Sequence, residues 1–173
     1  MIDKEMLLSA SLSDKVSEIG NLFFNYNRVL DAGMDYLEIE FGMKQMANFI
    51  HETLAHVAPL DADHFRDFNA KNMSRTNYGL PIEGNNAEYD SPFEFFVYAF
   101  SYSMKILRAI KEGISLAETE GNIEACGFFK SQISVILKYK YQFVLLHDRC
   151  ESAINMGNTW IDVDSMWRDF VVA

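Results

Sequence analysis

The chain has 173 residues, 49% of them apolar, which is the size of one domain with one continuous core and needs no covalent staple. A formal net charge of −10 argues against a partner that is chiefly phosphate backbone, so direct nucleic-acid binding is not expected, while an acidic balance suits either attracted cations or plain solubility. Met1 to Ser13 lacks the basic start and apolar run of a secretory signal, and no stretch approaches the roughly 18 to 20 apolar residues of a membrane span, so a cytoplasmic chain without a membrane segment is expected.

Ser11 to Asp14 reads as a capping box, after which Ile19, Leu22, Tyr26, Val29, Gly33 and Leu37 recur at spacings of three and four. That is one helix face, ending near Phe41-Gly42. A second pattern runs from about Met43 to Ser74 through Met46, Phe49 or Ile50, Thr53, Val57, Leu60, His64 and Phe68. Pro59 interrupts it and predicts a kink or break, because proline removes one ladder hydrogen bond. Arg75 to Asp90 is rich in Asn, Gly and Pro without periodicity and predicts a loop long enough to cross the length of a bundle.

Ser91, Pro92 and Glu94 then form a strong helix start, with Ser91 at the N-cap and Glu94 as its capping-box partner. The apolar line that follows is Phe93, Val97, Phe100, Met104, Leu107, Ile110 or Lys111, and Ile114, stopped by Gly121. Asn122 caps a fourth pattern, Phe129, Ile133, Ile136, Lys140, Phe143, His147 and Cys150, running to about Met156-Gly157. Two helices of about 30 residues joined by so short a turn are antiparallel neighbours. On one such helix Cys126 and Cys150 lie about 36 Å apart, so they cannot bridge and read as buried thiols in a reducing compartment.

The expected architecture is all-α: one domain over 1 to 173, a four-helix bundle over about 12 to 157 with a long crossover between its second and third helices, and a tail over 158 to 173. The tail predicts a short helix near Asp164 to Val171, with Trp167, Phe170 and Val171 docking on the bundle or on a neighbouring subunit.

Asn48-Phe49-Ile50 followed by His51-Glu52-Thr53-Leu54, then Tyr78-Gly79-Leu80-Pro81, resemble stretches of the ferritin-like proteins, in particular the mini-ferritins that protect DNA during starvation. Ser91-Pro92-Phe93-Glu94 and the turn Leu116 to Asn122 extend the likeness across most of residues 14 to 152. The resemblance implies iron as the bound metal: ferrous ions held by carboxylates and imidazoles, oxidised in a ferroxidase-type reaction, and stored inside a hollow homo-oligomer, with a role in oxidative-stress protection. Iron of this kind takes hard oxygen ligands and imidazole from facing helices.

The sequence departs from that pattern in named places. No histidine precedes His51, Ala55 stands where a carboxylate is expected, and no Glu-x-x-His occurs; Asp61-Ala62-Asp63-His64 supplies one Asp-x-x-His. Three of the four histidines fall between residues 51 and 64, so a metal site is expected on the second helix near Pro59, from His56, Asp61, Asp63 and His64, with Glu52, and with His147 from the fourth helix. The plainer alternative makes these residues surface carboxylates and interface histidines. Among Asn21, Asn25, Asn27, Asp31 and Asp35 of the first helix, one inward ligand is conceivable.

His51-Glu52-Thr53-Leu54-Ala55-His56 is not a zinc-protease signature, since three residues follow Glu52 before the second histidine and swing it about 100° off the required face. Phosphate loops, paired-cysteine motifs and nucleophile elbows are absent. Nine methionines and fourteen phenylalanines favour adaptable packing and burial between like subunits. A rival reading is therefore a metal-free scaffold acting as a structural or interaction module, through the tryptophan tail among other surfaces.

Overall fold

A computed structural model of the chain describes residues 7 to 78 and 88 to 170. In chain order these form α1 (Ala10–Ile39), α2 (Lys44–Ile50), a π-helical turn (His51–Ala55), α3 (Ala58–Lys71), α4 (Pro92–Glu120), α5 (Ile123–Asn155), α6 (Trp160–Ser165) and a 3-10 turn (Trp167–Phe170). The long rods α1, α2 with α3, α4 and α5 make an all-α four-helix bundle, and no strand occurs among the described residues. α4 packs most extensively on α5, and α1 on α3. None of the described helices is long and apolar enough to cross a membrane. Gly79-Leu80-Pro81 in the crossover lies outside the described residues.

Helix ends follow local chemistry. α1 starts earlier than the expected Ser11 box: the Ser9 hydroxyl oxygen accepts from the Leu12 N–H at 3.1 Å. Ser91 does sit at the α4 N-cap with Pro92 behind it, but its side chain makes no cap bond, and Glu94 accepts from the Asp90 N–H instead. Gly121 ends α4 at φ +68°, a left-handed conformation open to glycine at little cost, and Asn122 accepts from the Ala125 N–H to start α5.

The second rod breaks where proline predicted. Pro59 has no N–H to give the Ala55 carbonyl four residues back, and the Asn27 amide on α1 supplies the missing donor at 2.7 Å. Just before it, the His56 N–H reaches the His51 carbonyl at 2.8 Å, five residues back, so the π turn inserts one extra residue into the helix. The buried line consequently advances by one. Leu54, Ala58, Asp61 and Phe65 face the core, where unbroken periodicity predicts Thr53, Val57, Leu60 and His64.

The first half of α4 also turns a different face inward. Phe95, Phe96, Ala99, Tyr102, Ile106, Gly113 and Ala117 are buried together with the expected Leu107 and Ile110, whereas the expected Val97 is 50% exposed and Phe93, Phe100 and Met104 are only partly covered. Gly33 on α1 admits this packing: a Cβ there would lie 1.9 Å from the Phe95 ring. On α5 the expected Phe129, Ile136, Phe143 and Cys150 are buried. Burial pushes the Cys150 thiol up to about 12, while Cys126, expected buried as well, is half-exposed near the α4–α5 turn.

The tail docks on its own chain, and its helix begins at Trp160 instead of near Asp164. Trp160 meets Phe93 at 4.9 Å between ring centroids, and Trp167 meets Phe49 at 5.7 Å. Buried Asp164 accepts from the Gln45 and Met46 N–H groups at 3.1 and 2.7 Å. It caps α2, whose own N-cap residue, Met43, has no side-chain oxygen to offer.

Candidate functional site

The bundle centre collects one polar aromatic or acidic side chain from each rod: Tyr26 of α1, Asp61 of α3, Tyr102 of α4 and Tyr139 of α5. A hydroxyl or carboxylate taken out of water there needs a partner. The Tyr139 hydroxyl donates to the Asp61 carboxylate at 2.5 Å. Tyr26 donates to the Ala99 carbonyl at 2.7 Å, and the Asn25 amide donates to the Tyr102 oxygen at 2.9 Å. The Tyr26 and Tyr102 rings stack at 5.1 Å, Tyr139 lies 5.4 Å from Tyr26, and Phe23 and Phe65 close the side of the cluster.

Burial dominates the electrostatics. It raises the Asp61 carboxyl above its ordinary range, opposed by the Tyr139 hydrogen bond and by His64 and Lys138. It also drives the Tyr139 phenol far up, with Asp61 adding to the shift, and raises Tyr26 well above its ordinary value. All three groups disfavour further negative charge.

An iron pair at this level needs several anionic oxygens and imidazole. The centre holds one carboxylate already engaged by Tyr139, phenols held protonated, and the orphaned acceptor Asn25 Oδ1. That donor set does not fit a dimetal centre.

The six metal candidates from the sequence are not gathered. Asp61 is the one inside. Asp63 pairs with Arg66 at 3.0 Å on the surface. His64 is exposed beside a cavity of about 340 Å³, between α3 and α5, that Asp67, Lys71 and Gln132 also line. Glu52 and His56 are exposed at the π turn. His56 packs edge-on to His51 at 5.7 Å, and His51 Nδ1 lies 3.9 Å from Asp31. Burial raises the Asp31 carboxyl, which the neighbouring His51 opposes. His147 is remote from these, on α5, edge-on to Phe93 at 5.3 Å and 3.1 Å from Asp148. Among the described residues no three His, Cys, Asp or Glu side chains converge as a metal-ligand set.

Tyr102 and Tyr139 escape the sequence reading. The available signal was a need: a tyrosine on the buried face of a helix must find a hydrogen-bond partner, and Asp61 is the carboxylate that the shifted phase turns inward.

No protein-family profile and no curated protein sequence matches the chain. Solved structures do. An open-pore ferritin from the hyperthermophilic archaeon Archaeoglobus fulgidus superposes with a TM-score of 0.81 at 14% identity, over 96% of this chain and 99% of that one. A closed form of the same ferritin engineered by site-directed mutagenesis gives 0.82 at 14% identity, over 92% and 95%. The fold is therefore that of the ferritin four-helix bundle.

Proposed function

We propose that this chain is a self-associating ferritin-like scaffold whose bundle centre is sealed by hydrogen-bonded tyrosines instead of holding iron. The Asp61–Tyr139 hydrogen bond carries the reading, because it ties up the one carboxylate at the level where four rods meet. The ferritins it resembles lend the fold, and at 14% identity they lend no ligand set. Self-association is supported by large apolar side chains left in water, including Met156 at 81% and Ile39 at 75% exposure.

The test is metal content by mass spectrometry after anaerobic loading with ferrous iron, on protein purified without chelator. The wild type, an Asp61→Asn variant and a His56→Ala, His64→Ala double variant are expected to retain the same trace amounts. Stoichiometric iron that either variant loses overturns the sealed-centre reading and restores iron storage or oxidation. Iron retained by both variants is bound elsewhere and leaves the centre as described. Light scattering tests the other half: a solution mass that is a multiple of 19.9 kDa is expected, and a monomer overturns self-association.

A further inference from the structure

Of the apolar line that sequence periodicity assigns to the core on α4, Leu107 and Ile110 are buried, but Val97, Phe100 and Met104 run along the outside of the α4–α5 hairpin. Val97 and Phe100 of α4 line a common cavity with Val144 of α5, and Met104 on α4 and Leu137 and Ile133 on α5 continue the same helix faces towards the α4–α5 turn. The end of this seam near His147 opens into a cavity of about 270 Å³ lined by Phe96, Val97, Phe100, Phe143, Val144, His147 and one carboxylate, Asp148. Val97 is 50% and Leu137 40% exposed, and from Val97 to Lys111 the seam extends about 21 Å along α4. A helix this apolar on two sides has a second surface to cover.

Charge is segregated around it. Between Glu94 and Glu112 α4 carries Lys105, Arg108 and Lys111 and no carboxylate. Between Glu124 and Asp148 α5 carries Lys130, Lys138 and Lys140 and none either. Helical spacing puts Arg108, Lys111 and Lys140 on the seam itself. The opposite sign is concentrated at the end of α1, where no base occurs between Arg28 and Lys44. There Asp35, Glu38 and Glu40 surround Ile39, all exposed.

We infer that the α4–α5 seam is an interface that receives the carboxylate-rich end of α1 from a second copy of this chain. The inference rests on the self-association proposed above and names its surfaces. Ile39 supplies an apolar side chain to the seam, and the flanking carboxylates meet its cations. The two surfaces differ, so the contact is head-to-tail and each copy keeps one of each free until a ring or shell closes. Opposite charges bring the copies together and set the register, while the apolar seam holds them. A polyanionic partner is disfavoured by the net charge of −10.

Sedimentation of full-length protein, at low and high salt, separates the outcomes. The wild type is expected to assemble. A Val97→Asp, Leu137→Asp variant and an Arg108→Glu, Lys111→Glu variant are each expected to fall to monomer with unchanged helical dichroism, since all four side chains lie outside the core. Glu38→Lys with Glu40→Lys is expected to do the same, and a chain carrying both charge reversals is expected to assemble again. Assembly that survives the seam variants overturns the inference while leaving self-association intact. A monomeric wild type overturns both. Wild-type monomer that pellets with phosphatidylserine–phosphatidylcholine vesicles, and stops doing so in the seam variants, assigns the seam to an anionic membrane surface and overturns the second copy as its occupant.

Discussion

The bundle centre and the π turn, though built largely by the same rods, treat acidic and polar side chains in opposite ways. At the centre, Asp61 is buried and bonded to Tyr139, so its carboxylate is committed to structure. At the turn, Asp31, His51 and His56 lie beside one another with substantial access to water, and Glu52 is exposed. One inserted residue separates the two cases. Ligand-like spacing along a helix therefore says nothing about function until the phase of that helix is known.

The bundle centre is most sensitive at its aromatic wall. Tyr26→Ala empties a fully buried ring position and is expected to cost about 3 to 5 kcal/mol, read as a shift in the urea midpoint. A loss under about 1 kcal/mol would mean that the centre is loosely packed. Tyr139→Phe keeps the ring and removes only the donor to Asp61. The orphaned carboxylate is expected to cost about 1 to 3 kcal/mol near neutral pH and less in acid, where it protonates.

Asp61→Asn sharpens the electrostatic side. Because burial raises the folded-state value of Asp61 above its unfolded one, the stability it confers is full below about pH 4 and is lost as pH rises through the raised value. The asparagine variant still offers Tyr139 an acceptor but has no such loss. Relative to wild type it is therefore expected to gain stability from pH 4 to 7, and urea melts across that range check the sign. Smallest of all, the His56→Ala, His64→Ala double variant is expected to stay within about 0.5 kcal/mol of wild type in thermal melts, since both side chains are exposed.

Much of the fold was legible. The four rods, the long crossover, the break at Pro59 and the Gly121-Asn122 turn were all readable, as were the core positions Ile19, Tyr26, Val29 and Leu37. Of the candidate site, Tyr26 was legible as a core position and Asp61 as a candidate acid, but Tyr102 and Tyr139 were not. Periodicity extended past residue 50 keeps His64 on the core line, and the π turn moves it to the surface while bringing Asp61 in. Likewise α4 carries two apolar lines of equal spacing, and periodicity alone has no means to rank them.

Local sequence alone set the break at Pro59, the start of α4 and the turn from α4 into α5. Those choices are made within a few residues, by the missing N–H of Pro59 and Pro92, the left-handed freedom of Gly121 and the side-chain acceptor of Asn122. Tertiary structure alone decided which way each helix faces and how its leftover groups are satisfied. The Ala55 carbonyl is met by Asn27 from 28 positions away, and the start of α2 by Asp164 from more than a hundred. Such partners are chosen by packing across the bundle, where an orphaned backbone group takes the nearest donor or acceptor regardless of its distance along the chain.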